Sequence, residues 1–185
     1  MPNPKSYENH LDESKPRWFA VRTRFKSEKL AHKQLLAQGV EVYLPIRNVI
    51  RIYSRKKRQI DLPLIHNFVF VNIVKKEYVK VLETEYTSGF LKFGQNLLSI
   101  PDFQIELIKR LLGENIDVEV VEKTTLLKGD SVEVIAGPLM GLQGNLVNIQ
   151  GKDTVLVELI NSGYTLQLSL DAQLLRKINP SVVAL

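Results

Sequence analysis

The sequence contains no cysteine among its 185 residues. Disulfide bonds, zinc ribbons, iron–sulfur clusters and thiol catalysis are therefore excluded, and this composition fits a protein of the reducing cytoplasm. No run of about 18 consecutive apolar residues occurs, so no membrane-spanning helix is predicted. The three histidines, His10, His32 and His66, lack metal-ligand spacing, and there is no glycine-rich phosphate loop or nucleophile-elbow serine. The sequence thus predicts a protein that is not an enzyme and needs no metal or cofactor.

Charge and length predict two domains and one localised basic patch. The formal net charge is +5 and the sequence pI is about 9.3, which fits contact with phosphate through part of the surface. With 44% apolar residues, the chain is long enough for one domain of ordinary size and a smaller one. The predicted parts are a flexible leader at 1–15, a domain at 16–113, a linker at 114–125, a domain at 126–179 and a tail at 180–185.

The larger domain is predicted to be α+β, with helices flanking a mostly antiparallel sheet. Apolar residues alternate or run together in the predicted strands, and they gather on one face in the predicted helices. The strands are predicted at 17–23, 40–44, 62–73 and 90–94, and the helices at 25–38, 75–83 and 102–113. The segment at 62–73 lacks clean alternation, which is typical of a central strand buried on both faces. The linker at 114–125 leaves open an extra strand that pairs with either domain.

A hairpin with a charged tip is predicted between residues 46 and 60. Its strands run into four consecutive basic residues, 55–58, at the expected turn. Basic runs usually form solvated loops, which is one interpretation. The other is a contact for phosphate, because clustered lysines and arginines release counterions when they bind it. Arg47 and Arg51, which share one strand face, favour the phosphate contact.

The C-terminal part contains two alternating strands joined by a glycine-rich connection, between Leu127 and Ile149. Gly137, Gly141 and Gly144 stand where a tight connection needs a positive φ or close backbone approach. The pattern resembles a KOW motif, although a plain β-hairpin with a Gly-Pro turn has similar features. Further predicted strands after residue 152 favour a small SH3-like β-barrel.

An aromatic-led first strand, a lysine-bearing helix, a basic hairpin, an apolar strand and a KOW module occur here in that order. Over residues 17–178 the chain resembles the NusG family of transcription elongation factors, in which an NGN domain precedes a KOW domain. The most specific segments are 18–21, 63–70 and 137–144. The chain is more similar to specialised paralogues of the RfaH and UpxY type than to the housekeeping factor. It departs from the family at 65–68, where Ile-His-Asn-Phe replaces the common Phe-Pro-Gly-Tyr or Phe-Pro-Asn-Tyr.

The resemblance implies an elongation or antitermination factor that docks on the clamp coiled coil of RNA polymerase and suppresses pausing or termination. The candidates for the docking surface are Phe19, Ile65, Phe68 and Phe70, although strand alternation leaves a core position equally open for each. A second set of residues would contact the non-template DNA strand, mainly electrostatically. These residues are Arg24, Lys26, Lys29, Lys33, Arg55, Lys56, Lys57 and Arg58.

By the same resemblance, the KOW domain binds a small-subunit ribosomal protein or the termination factor Rho through Ile135, Leu139 and Met140. We expect a monomer that does not bind membranes, with the KOW domain always a barrel because its glycines and Pro138 interrupt helices. The alternative function is that of a ribosome-associated KOW protein that binds RNA. Such a protein would concentrate positive charge in residues 125–185, but that segment has four basic and five acidic residues.

Overall fold

A computed structural model of the chain describes residues 7–53, 56–114, 116, 118–122, 129–149, 152–159 and 162–178. The chain divides into two compact units, Met1–Ile105 and Glu106–Leu185. A helix at Asp102–Gly113 passes through this division. The domain limits 16–113 and 126–179 stay predictions.

The first unit is built on a four-stranded antiparallel sheet in the order β2-β5-β1-β6. Its elements are β1 (Arg17–Thr23), α1 (Glu28–Ala37), β2 (Glu41–Tyr43), β3 (Ile46–Tyr53), β4 (Lys56–Pro63), β5 (Phe68–Ile73), a 3₁₀ turn at Lys75–Glu77, α2 (Tyr78–Glu83) and β6 (Thr87–Phe90). The helix that crosses the division, Asp102–Gly113, is α3. The first strand and the helices agree with the sequence-based prediction.

The core of this unit lies on one face of the sheet. Phe19 and Val21 of β1 are in register with Val71 and Val69 of β5, so these four side chains point to the same face. All four are fully buried, together with Leu35 of α1, in one apolar cluster. Burial of each such side chain stabilises the fold by about 1.5–3 kcal/mol.

The apolar segment predicted as one strand at 62–73 is divided in the structure. Strand β4 ends at Pro63, and β5 begins at Phe68. Asn67, between them, has a φ of 61°, a left-handed conformation that asparagine tolerates better than most residues and that strands do not contain. The strand predicted at 90–94 lies earlier, at 87–90, with Gly89 inside it.

The hairpin is confirmed as a separate two-stranded sheet of β3 and β4. Its register pairs Arg51 with Arg58 and Ile52 with Lys57. The basic residues from 56 to 58 therefore belong to a strand, which differs from the prediction that the whole run forms the tip. Arg55 and the side chain of Lys56 lie outside the described residues.

Residues 7–15, predicted to be part of a flexible leader, form hydrogen bonds with the rest of the first unit. The backbone N–H of His10 donates to Leu97 O at 2.9 Å, and that of Leu97 donates to Glu8 O at 3.0 Å. The N–H of Lys75 donates to Asp12 O at 2.8 Å. The leader prediction is wrong for these residues, because the polar sequence satisfies backbone groups of the domain instead of remaining solvated.

The second unit contains a six-stranded antiparallel sheet in the order β12-β8-β9-β10-β11-β7. Its strands are β7 (Val118–Glu122), β8 (Asp130–Val134), β9 (Gln143–Ile149), β10 (Lys152–Leu159), β11 (Tyr164–Ser169) and β12 (Leu175–Lys177). Strand β7 lies in the segment predicted as a linker, where an extra strand had also been left open, and it pairs with β11.

The three spaced glycines of the KOW segment have the two roles that their spacing predicts. Gly137 and Gly141 have φ values of 79° and 87°, which residues other than glycine rarely adopt. Gly144 instead permits a close approach, because a Cβ there would lie 2.7 Å from the carbonyl oxygen of Leu156. The connection therefore depends on glycine for backbone shape and for space.

Candidate functional site

The loop between β1 and α1 carries the first predicted nucleic-acid contacts, and backbone hydrogen bonds hold it in place. The N–H of Thr23 donates to Asn67 O and the N–H of Arg24 donates to Tyr86 O, both at 2.8 Å. The N–H of Ser27 closes the loop by donating to Arg24 O at 3.0 Å. Three chain segments thus meet at this loop.

Backbone strain is concentrated at the same junction. Within the described part of the chain, Lys26, Asn67 and Tyr86 are the non-glycine residues with positive φ, at 54°, 61° and 70°. Lys26 lies in the loop. Asn67 and Tyr86 supply the carbonyls that accept hydrogen bonds from the N–H groups of Thr23 and Arg24. Such conformations cost about 1–3 kcal/mol for residues such as lysine and tyrosine and less for asparagine, and they cluster at functional sites.

A buried carboxylate connects the junction to α1. Glu28, in the first turn of the helix, is 5% exposed, and its Oε1 accepts a hydrogen bond from the N–H of Asn67 at 2.7 Å. A carboxylate at this position is also stabilised by the positive end of the helix dipole. Glu28 therefore fixes the start of α1 against the turn that precedes β5.

The predicted basic residues of this region are exposed. Lys26, Lys29 and Lys33 are spaced so that they share one side of α1 and its preceding turn. The Nζ of Lys29 donates to Asp61 O of β4 at 2.9 Å, which links α1 to the hairpin. On the hairpin, Lys57 and Arg58 are also exposed, but as neighbours on one strand they point to opposite faces.

The predicted docking residues are buried. Phe19 belongs to the core cluster, so its assignment to a docking surface is wrong: β1 is an inner strand, and alternation directs Phe19 towards the core. Phe68 and Phe70 point to the opposite sheet face, yet they are only 6% and 2% exposed. Ile65 is 2% exposed. These side chains therefore do not form a surface open to solvent in this structure.

The sheet face opposite the core has its own aromatic contacts. The guanidinium carbon of Arg22 lies 5.6 Å from the ring centroid of Phe68, a cation–π distance. The rings of Tyr43 and Phe70 stack with centroids 6.4 Å apart. These contacts give this face a mixed aromatic and cationic composition that single-sequence reasoning did not predict.

The KOW residues divide between surface and interior. Ile135 and Met140 are 42% and 67% exposed, whereas Leu139 is 2% exposed. Leu139 lines an apolar cavity of about 320 Å³ with Val134 and Leu174. A turn in which the N–H of Leu142 donates to Leu139 O directs Leu139 inward. Its predicted place on the exposed surface is therefore wrong.

The sequence profile described as "Transcription termination factor nusG" matches residues 16–109, and the KOW motif profile matches residues 128–158. The chain belongs to the NusG family. Family membership supports a role as a transcription elongation factor, and members of the NusG family are transcription factors and not enzymes. The predicted architecture, an α+β NGN domain followed by a KOW domain, is confirmed.

A solved structure of NusG from Thermotoga maritima matches with a TM-score of 0.55. It is 23% identical over 89% of this chain and 98% of its own, which supports the fold. Conformation A of the MjSpt4:Spt5 complex is 21% identical over 88% of this chain and 98% of its own, but its TM-score of 0.25 is too low to inform the fold. Comparison with curated proteins gave no match.

Sequence reasoning missed the strained junction and the exposed Phe25 that it carries. An aromatic residue between Arg24 and Lys26 was a visible signal for nucleic-acid binding. The convergence of residues 26, 67 and 86 had no signal, because it depends on long-range backbone contacts.

No helix in the described ranges has the length and hydropathy needed to cross a membrane.

Proposed function

We propose that this NusG-family chain is a transcription elongation or antitermination factor that binds the RNA polymerase clamp and the non-template DNA strand. The observation that carries the DNA contact is the row of exposed cations Arg24, Lys26, Lys29 and Lys33. None of the four makes a salt bridge to a carboxylate within the described residues. Cations without a carboxylate partner can bind phosphates and release counterions, and Lys29 also donates to Asp61 O.

The proposed effect on transcription is a shift in the population of clamp conformations. A factor that binds the closed clamp more tightly than the open clamp favours closure by the difference in its binding free energies. A tenfold preference corresponds to about 1.4 kcal/mol. The factor can suppress pausing or termination by no more than the difference between its binding free energies for the closed and the open clamp.

The face of β5 that carries Phe68 and Phe70, together with the neighbouring Ile65, is the proposed docking surface. Because these side chains are buried, docking through them requires a rearrangement that first exposes this face. Exposure of this face costs free energy, so only a fraction of the molecules is competent to bind. The apparent affinity for polymerase is reduced by that fraction. We therefore expect weak capture in the absence of a partner or DNA that stabilises the exposed state.

Capture by purified RNA polymerase tests this proposal. We expect polymerase to retain the full chain, weakly in the absence of DNA, and a competitor peptide that carries the clamp coiled coil to release it. Substitution Phe68→Ala should weaken retention at least about tenfold, since aromatic anchors dominate binding energy at interfaces. Retention that the competitor leaves unchanged would contradict the clamp as the docking partner.

A variant on the opposite face of the same strand provides the control. Val69 is fully buried in the core cluster, so Val69→Ala lowers stability without altering the proposed docking face. Thermal unfolding should confirm that both variants are folded at the assay temperature. Equal losses of retention in the two variants would indicate that stability, and not docking, determines capture.

The exposed Ile135 and Met140 are the proposed contact for a KOW partner, a small-subunit ribosomal protein or Rho. Both lie on the connection that surrounds the cavity lined by Leu139. Exposed apolar side chains beside such a cavity are suited to a protein partner, and the acidic balance of residues 125–185 disfavours RNA.

A further inference from the structure

Phe25 is an apolar aromatic side chain that the fold leaves almost completely open to solvent. It is 76% exposed, whereas phenylalanines of the sheet such as Phe19 and Phe70 are nearly inaccessible. Its exposure does not come from a loose loop, since the backbone on both sides is hydrogen-bonded. The N–H of Arg24 donates to Tyr86 O, and the Oγ of Ser27 donates to Phe25 O at 3.2 Å. The ring is thus presented to solvent by an ordered turn.

The turn that presents Phe25 is held in a strained conformation. Lys26, the next residue, has a φ of 54°, and the carbonyls that accept from Thr23 and Arg24 belong to Asn67 and Tyr86, which also have positive φ. Strain of this kind persists only when surrounding contacts enforce it. The buried Glu28 supplies such a contact by accepting from the N–H of Asn67. The contacts that keep these three residues in their left-handed conformations therefore also hold the exposed ring in place.

Cations surround the ring. Arg24 and Lys26 flank it in sequence, and the Nζ of Lys26 lies 5.0 Å from its centroid. Lys29 and Lys33 follow on the exposed side of α1. An aromatic platform beside several exposed cations is the combination that suits single-stranded nucleic acids, because bases stack on the ring while phosphates contact the cations.

We propose that Phe25 is a stacking platform for one unpaired nucleobase of a single nucleic-acid strand, with Arg24 and Lys26 holding the adjacent phosphates. The inference deepens the proposed function, since it assigns a base contact to a surface otherwise expected to bind only phosphates. It predicts preference for single-stranded over double-stranded nucleic acid, because bases in a duplex are already stacked. The contact is tolerant of sequence, since every base has a π-face.

Binding of the full chain to a short single-stranded DNA that carries one 2-aminopurine tests the proposal. We expect Phe25→Ala to weaken binding about tenfold and to abolish the fluorescence quenching that stacking causes at the 2-aminopurine. The slope of the logarithm of affinity against the logarithm of salt concentration should not change, because phenylalanine displaces no counterion. A duplex of the same sequence and an RNA oligonucleotide should serve as comparison ligands.

Three further variants separate stacking from other effects. Phe25→Trp should retain affinity and quenching, whereas Phe25→Leu, which keeps an apolar side chain without a π-face, should behave like Phe25→Ala. Phe103 on α3 is 63% exposed and follows an acidic residue, so Phe103→Ala is a control with similar exposure and no expected effect. The thermal midpoint of each variant should match that of the parent chain, because both rings are mostly exposed.

The proposal is overturned if the parent chain binds no single strand, if Phe25→Ala binds as tightly as the parent, or if Phe25→Leu restores quenching. It is also overturned if Phe25→Ala reduces polymerase capture but leaves oligonucleotide binding unchanged, since the ring would then contact protein. Polymerase capture by the parent chain is measured separately. Retained capture with failure of the stacking assay removes the base contact but leaves the docking proposal in place.

Discussion

Gly144 occupies a position in β9 where a side chain has no room. A Cβ there would lie 2.7 Å from both the carbonyl oxygen of Leu156 and Cγ1 of Val155. Backbone atoms of a paired strand cannot move without loss of hydrogen bonds, so the strand must shift. The motif's glycine spacing thus reflects contact distances between strands and not only turn geometry.

We predict that Gly144→Ala lowers the free energy of unfolding by about 1–3 kcal/mol, the usual cost of overpacking. Urea denaturation of the full chain, followed by circular dichroism, measures the change. Gly113→Ala is the matched control, because a Cβ at the last residue of α3 would have no close contact, within 4 Å, among the described residues beyond its own turn of helix, and its φ lies outside the left-handed region. This control should be neutral or stabilising by up to about 1 kcal/mol, since alanine has the higher helix propensity. Equal stability of the two variants would contradict the steric argument.

The segment at residues 7–15 behaves as a structural element although its sequence resembles a leader. Asp12 organises it: its carboxylate accepts from the N–H groups of Ser14 and Lys15, each at 2.9 Å. These backbone hydrogen bonds, with a smaller contribution from Arg17, hold the pKa of Asp12 below its ordinary value of 3.8. A salt bridge from Lys75 to Glu13 adds a second attachment. Composition predicted disorder here because it records polarity and not the partners available to polar groups.

Acidification is predicted to release this segment. Because the pKa of Asp12 is lower in the folded chain than in the unfolded chain, its contribution to stability is complete above pH 3.8 and declines as pH falls through the lowered value. The amide signals of Lys15, Lys75 and Leu97 in two-dimensional NMR spectra should therefore shift together in that range. In an Asp12→Asn variant the transition should disappear, and an unchanged transition would exclude Asp12 as its cause.

Net charge and its distribution determine how the entire protein meets nucleic acid. The formal charge of +5 is modest, so association depends on where the cations lie. Exposed cations occupy the turn before α1, the exposed side of α1 and the hairpin. The hairpin register sets Arg51 opposite Arg58, and neither forms a salt bridge within the described residues. Like charges placed opposite each other are unfavourable without an anion between them.

We predict that Lys57→Ala with Arg58→Ala weakens DNA association and lowers its salt dependence, while the fold remains intact. Because the two side chains point to opposite faces of the hairpin, loss of one or two phosphate contacts should reduce the slope against salt concentration by roughly 0.7 to 1.4 for a single strand, at about 0.7 per contact. Lys76→Ala with Lys80→Ala is the charge-matched control, since each double variant removes two positive charges and changes the net charge from +5 to +3. Fluorescence anisotropy over a range of salt concentrations measures both. A slope that falls equally in both variants would remove the hairpin from the binding surface. Replacement of all four residues from Arg55 to Arg58 extends the test to the full basic run.

Periodicity, turn residues and the order of motifs were sufficient to predict the helices, most of the strands and the family of this protein. Helix α1 and the KOW glycines follow from interactions over a few residues, which the sequence records directly. The burial of Phe19 was decided only by tertiary structure, because alternation predicts two strand faces but not which of them is covered. Leu139 lies in the turn between β8 and β9, and its burial depends on the cavity that it lines. The same holds for the strained junction of Lys26, Asn67 and Tyr86, whose members are distant in the chain and meet only through hydrogen bonds of the folded backbone.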